Sequence, residues 1–250
     1  MRKKMTNIKV ALNSNMLVSC AADLFVASAQ SAIKTRNRFS VALSGGSTPR
    51  ELYARLATAE YSTRINWKAV HLFWGDERCV PPDHADSNYR MSRESLRVPI
   101  PEENIHRIYG ELAPEFAAKK YENELRSFFK ETPRFDLILL GLGDDGHTAS
   151  LFPDSPALKE STRWAVGVEH TTPPPPLVPR VTLTFPVINN AREIVFLVTG
   201  RGKAARVSET LGSARTPCEL PACAVHPANG NLSWLLDQSA AILLEESQQP

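Results

Sequence analysis

Asp144-Asp145-Gly146-His147 sets two carboxylates and an imidazole within four residues, directly after the apolar run Phe135–Leu140. A carboxylate beside an imidazole fixes its tautomer and stabilises the imidazolium formed when the ring takes a proton. His147 therefore reads as a general base and Asp145 as its orienting partner. The same loop, Gly141-Leu142-Gly143-Asp144-Asp145-Gly146, formally satisfies the dinucleotide pattern G-x-G-x-x-G. Aspartates at both variable positions would repel a pyrophosphate, and Pro153 limits any helix starting there, so a nicotinamide enzyme is not expected. His71, His84, His106, His170 and His226 lack a comparable setting and read as surface or core side chains. No metal triad assembles from them. Ser150 lacks a G-x-S-x-G elbow, which leaves activated water as the simpler nucleophile.

A second loop, Leu43-Ser44-Gly45-Gly46-Ser47-Thr48-Pro49, joins an apolar strand to a helix through Leu52 and Leu56. Its glycines permit positive φ and close backbone approach; Thr48 can cap the helix with Glu51 closing a capping box, and Pro49 suits the first turn. Free N–H groups, two hydroxyls and the positive end of the helix dipole then converge where a phosphate would sit. The GKS/T ending of a P-loop is absent, and the same residues serve equally as an ordinary Gly-Ser turn, so other loops must decide.

The elements that must position these loops follow from the hydrophobic pattern. Phe39–Leu43, Val70–Trp74, Phe135–Leu140 and Glu193–Thr199 are strand-like runs. Between them lie helical spacings: Ala21, Leu24, Phe25 and Ala32 within 18–34, and Phe116, Tyr121, Leu125 and Phe128 before the third strand. Apolar strands alternating with helices predict an α/β fold: a single domain with a largely parallel twisted sheet of Rossmann type, helices on both faces, and ligands beyond the carboxyl ends of the strands. Function then belongs to the loops after Leu43, Trp74, Leu140 and Thr199. The domain is expected over 14–240, with 1–13 and 241–250 as tails. The stretch 171–179, with four consecutive prolines, reads as a stiff surface loop acting as a spacer.

With 250 residues, 42% of them hydrophobic, the chain can bury one sizeable core, and its net charge of +2 gives no reason to expect nucleic acid or an acidic membrane as partner. Cys20, Cys79, Cys218 and Cys223 show no paired C-x-x-C spacing and read as reduced structural thiols, with no structural zinc. The basic start Met1-Arg2-Lys3-Lys4-Met5 lacks the apolar run and cleavage site of a signal peptide, and no run of roughly 18 consecutive apolar residues occurs, so a cytoplasmic location is the default.

Taken together, Leu43–Pro49, Trp74-Gly75-Asp76-Glu77-Arg78 with Val80-Pro81, Asp86-Ser87-Asn88, Gly141–Pro153 and Pro179-Arg180-Val181-Thr182-Leu183-Thr184 resemble the 6-phosphogluconolactonase family. The resemblance continues through Ile188-Asn189 and Thr199-Gly200 with Lys203, covering roughly 14–235 in order. It implies hydrolysis of 6-phospho-D-glucono-1,5-lactone to 6-phospho-D-gluconate. The phosphate would rest on Ser44, Gly45, Gly46, Ser47 and Thr48, joined by Arg180 and Lys203, whose guanidinium and ammonium suit a dianion. His147, oriented by Asp145, would activate water, and Arg78 would steady the developing oxyanion. No metal or organic cofactor is implied, and the partner is a small phosphosugar lactone taken by a monomer or small homo-oligomer. The similar glucosamine-6-phosphate deaminases follow the histidine with I-A-F-N-E-P, placing a catalytic glutamate where this chain has Phe152. A non-catalytic phosphosugar-binding sensor is the remaining alternative, disfavoured by the presence of Asp145 and His147.

Overall fold

The computed structural model describes residues 6–212 and 218–246; the basic start and the last four residues of the expected C-terminal tail lie outside that range. In chain order the elements are β1 (Asn7–Ala11), α1 (Ser14–Arg36), β2 (Phe39–Leu43), α2 (Ser47–Leu56), α3 (Ala59–Ser62), β3 (Val70–Trp74), β4 (Asp76–Arg78), α4 (Asn88–Ser95) and α5 (Pro114–Phe129). There follow β5 (Leu137–Leu140), β6 (Ala165–Val168), β7 (Arg180–Leu183), α6 (Phe185–Ile188), β8 (Glu193–Val198), α7 (Ala204–Leu211), β9 (Asn231–Asp237) and α8 (Gln238–Glu246).

Six strands form one parallel sheet in the order β1-β9-β8-β5-β2-β3. Strands β2 and β5 are buried at every position, as expected where helices cover a parallel sheet. Cross-strand packing fixes register: Phe196 of β8 lies opposite Trp234 of β9, and the rings stack at 3.9 Å. The α/β expectation holds, with one addition. A separate three-stranded antiparallel sheet, β4-β7-β6, stands beside the main one. Asp76-Glu77-Arg78, a loop in the sequence reading, is therefore its edge strand.

Helix α1 buries Leu17, Val18, Ala21, Ala22, Phe25, Val26, Ala29 and Ala32 along one stripe, and begins where the Asn13 side chain accepts the Met16 amide at 3.0 Å. By length and composition it would also pass for a membrane span, with mean hydropathy 1.5, but this apolar face packs into the core. In α5 the buried face is Ala117, Ala118, Tyr121 and Leu125; Phe116, expected on it, is 73% exposed because it falls outside the three- and four-residue spacing of that stripe.

Two boundaries differ from expectation. Asn7–Ala11, read as tail, pairs in parallel with β9 at the sheet edge; four of its five residues are exposed, so no buried pattern announced it. Helix α8 runs past 240 to Glu246. The thiol reading is also corrected: Cys218 and Cys223 are disulfide-bonded, because a 3-10 turn at Pro221–Ala224 brings their Cα atoms to 6.1 Å. Cys20 and Cys79 are free.

Candidate active site

The cleft opens where β2, β3, β5 and β8 end, and two buried tyrosines hold the strand ends that feed it. Tyr53 of α2 accepts the Ser44 amide at 2.9 Å and donates to the Ser44 carbonyl at 2.8 Å. Tyr121 of α5 does the same to Trp74, at 3.0 and 2.8 Å. Burial raises the pKa of both phenols, so they stay neutral and can both donate and accept. The backbone is thus fixed at the two strand ends that lead into these loops.

After β5 the chain makes a tight turn, closed by the Gly143 amide donating to the His147 carbonyl at 2.8 Å. Inside it His147 Nδ1 lies 2.5 Å from Asp145 Oδ1, which also accepts the His147 amide at 3.1 Å. Burial lifts the Asp145 carboxyl, but the hydrogen bond and charge of His147 outweigh it and hold the group below its ordinary value. An ionised Asp145 accepts a hydrogen bond from Nδ1–H, leaving His147 Nε2 as the basic nitrogen. A Cβ at position 143 would overlap His147 Nδ1 and Cε1 as well as Asp145, so only glycine leaves room for the pair. No helix follows, which removes the remaining basis for a dinucleotide site.

The charge partners come from the small sheet. Arg78 and Arg180 are directly opposite one another in the β4–β7 pairing and line the same cleft. Arg78 donates to the Asp86 carbonyl at 2.7 Å and Arg180 to the Pro176 carbonyl at 2.6 Å, yet the Nε of each is buried without a partner. Arg180 is 4% exposed, and burial, with Arg78 beside it, lowers its pKa. A buried and a half-buried guanidinium side by side, each with an unpaired Nε–H, favour an anion between them.

Of the residues named from sequence, His147, Arg78, Ser44, Gly45, Gly46, Arg180 and Lys203 line one cleft of about 240 Å³, with Asp145 bonded to His147. Ser47 and Thr48 do not reach the lining. Helix α2 starts at Ser47, two residues earlier than expected, so Gly46 and not Thr48 is the cap. The Thr48 hydroxyl instead meets Thr199 at 2.8 Å, bracing the loop after β8. Lys203 is engaged by Asp144, Nζ to Oδ1 2.6 Å.

Sequence reasoning missed several lining residues. Asp76 is buried, accepts from the Ser150 hydroxyl at 2.6 Å and receives Asn88 through its backbone carbonyl at 3.0 Å. Asn88 in turn lies so close to Gly45 that any side chain there would collide with it. Asp76 and Asn88 stand inside motifs that the sequence marks, but nothing in the residues themselves shows that they are buried. The proline stretch is no mere spacer: Pro174 and Pro175 form part of the cleft wall.

A parallel α/β sheet with an Asp–His pair at its strand ends, faced by two adjacent guanidiniums from the small sheet, defines an enzyme class suited to acid–base chemistry on a small anion. The sequence matches the family described as glucosamine-6-phosphate isomerases/6-phosphogluconolactonase over residues 13–234. It is 44% identical to 6-phosphogluconolactonase of Synechocystis sp. over 93% of this chain and 96% of that protein. The solved 6-phosphogluconolactonase of Trypanosoma brucei superposes with a TM-score of 0.87 at 32% identity, covering 97% of this chain and 100% of that one. A monomeric glucosamine-6-phosphate deaminase shares the fold, with a TM-score of 0.78 at 19% identity over 95% of this chain and all of that one. The chain belongs to the glucosamine-6-phosphate isomerase/6-phosphogluconolactonase family.

Proposed function

We propose that this protein hydrolyses 6-phospho-D-glucono-1,5-lactone to 6-phospho-D-gluconate, the second step of the oxidative pentose phosphate pathway. The observation that carries the reading is the Asp145–His147 pair sharing a cleft with the adjacent Arg78 and Arg180. His147 Nε2 takes a proton from water as its oxygen adds to the lactone carbonyl; Arg78 steadies the resulting oxyanion. Collapse of that intermediate breaks the bond to the ring oxygen, which leaves with the proton from the imidazolium. The phosphate rests on the Ser44-Gly45-Gly46 turn and the α2 N-terminus, with Arg180 and Lys203. Lys203 must then share its charge between Asp144 and substrate.

Phe152 supports lactone hydrolysis over deamination, since an aromatic ring occupies the place of the deaminase glutamate and contacts His147 at 4.6 Å. Action in the cytoplasm as a monomer or small homo-oligomer belongs to the same proposal; the near-neutral charge of +2 supports the further reading that neither nucleic acid nor an acidic membrane is a partner. The test is acid release from freshly generated lactone, with chelator present and no nicotinamide added. Acceleration over the uncatalysed rate supports a metal- and cofactor-independent lactonase. No acceleration refutes it, and turnover of glucosamine 6-phosphate would then favour the deaminase reading.

A further inference from the structure

In the sequence His170 reads as a core or surface histidine, and the Pro173–Pro176 run as a spacer. The fold brings both to the edge of the cleft. His170 follows β6 and is 4% exposed. Its ring stacks on Phe152 at 4.0 Å with only 13° between planes, and Phe152 abuts His147 at 4.6 Å. Its Nε2 lies 2.6 Å from the Pro174 carbonyl oxygen; a carbonyl only accepts, so Nε2 carries the proton and donates. At the far end of the same loop Arg180 grips the Pro176 carbonyl. The proline wall is thus tied down by His170 at its start and by Arg180 at its end.

The need for such a tie follows from what lies behind the stack. Phe152 and His170 also line a second hollow of about 410 Å³, bounded by Val166, Val168 and Ala157 among others. Both rings are almost wholly buried, at 9% and 4% exposure, yet the hollow leaves their far side incompletely packed, so shape alone does not fix the pair against His147. The ring contacts and the Nε2 hydrogen bond supply that constraint instead.

We infer that His170 is a positioning residue for the lactone reaction proposed above. Through Phe152 it holds the plane of the His147 imidazole, and through the Pro174 carbonyl it holds the Pro174–Pro175 wall against the substrate. The two connections separate experimentally. His170→Phe keeps a stacking ring but removes the donor, so the wall is freed: KM for the lactone rises about fivefold to tenfold, the scale of one lost hydrogen bond, with kcat within about twofold. His170→Gln keeps an N–H donor but removes the ring, so His147 loses its backing: kcat falls about tenfold while KM moves less.

Both variants are assayed beside the wild type, with thermal midpoints measured on the same preparations. The opposite split between kcat and KM supports the inference. Unchanged constants in both variants overturn it, as does a fall in activity that only follows the loss of folded protein. A wild type inert toward the lactone would instead overturn the functional reading. The positioning role is then judged by calorimetric affinity for 6-phosphogluconate: weaker binding by His170→Phe than by wild type supports it, and equal binding ends it.

Discussion

At the scale of single residues the proposed mechanism divides labour between a base and a set of cations, and substitution should expose that division. His147→Ala removes the only basic nitrogen that Asp145 orients. A loss of about 10²–10⁴ in kcat with KM little changed is expected, the usual value of a general base. Steady-state assays on the two proteins check this, and comparable turnover would refute the assignment. Lys203→Ala should act on the other parameter. Its ammonium is already paired with Asp144 and partly exposed, so KM should rise only severalfold while kcat stays near that of the wild type.

At the scale of elements, short turns hold these residues and tolerate little change. Gly143→Ala places a methyl where the His147 ring and Asp145 carboxylate now lie. The turn must open or the pair must separate, so kcat should fall at least tenfold while the circular dichroism spectrum stays that of the wild type. Full activity in this variant would show that the pair need not meet as described. Glu77 organises the next turn: it accepts the amides of Arg78, Asn88 and Tyr89, each at 2.7 Å, and the Ser87 hydroxyl at 3.1 Å, joining β4 to the start of α4.

Burial pushes Glu77 up to about 7 against the pull of the three amides. A raised carboxyl favours the protonated folded state, so its contribution to stability is present at low pH and is lost as pH rises towards 7. Glu77→Gln should flatten that slope. It should also lower the melting temperature by roughly 2–10 °C, because an amide cannot accept from every donor that the carboxylate serves. Calorimetry between pH 5 and 8 checks both effects.

At the scale of the whole molecule, the amino-terminal end of the sheet carries a histidine pair with a structural effect. His71 Nδ1 meets His106 Nε2 at 3.1 Å, and His106 Nδ1 meets Glu124 at 2.6 Å, among Phe73 and Phe128. Burial, then the charges of His106 and Arg38, lower His71 to about 4. Between its ordinary value and about 4 the unfolded chain binds a proton that the folded chain refuses. Stability should therefore fall as pH drops from about 6.5 towards 4. His71→Phe should weaken that dependence in thermal melts at pH 7, 6 and 5; an unaltered dependence would assign it elsewhere.

The sequence by itself determined the strands Phe39–Leu43 and Val70–Trp74, the long helices, and the loops that carry His147, Asp145 and the Ser44–Gly46 turn. Those features are local: a run buried on both faces, a helical stripe, or a base and carboxylate two residues apart in the chain all show their physics within a few positions. Tertiary structure alone decided that Arg78 and Arg180, a hundred residues apart, lie side by side, and that Thr48 braces Thr199 rather than capping its own helix. It also decided that the prolines wall the cleft, that Cys218 meets Cys223, and that the exposed strand Asn7–Ala11 pairs with β9. Each of these depends on the register between distant segments, or on how a loop returns to the body of the protein, and neither leaves a periodic trace in the residues themselves.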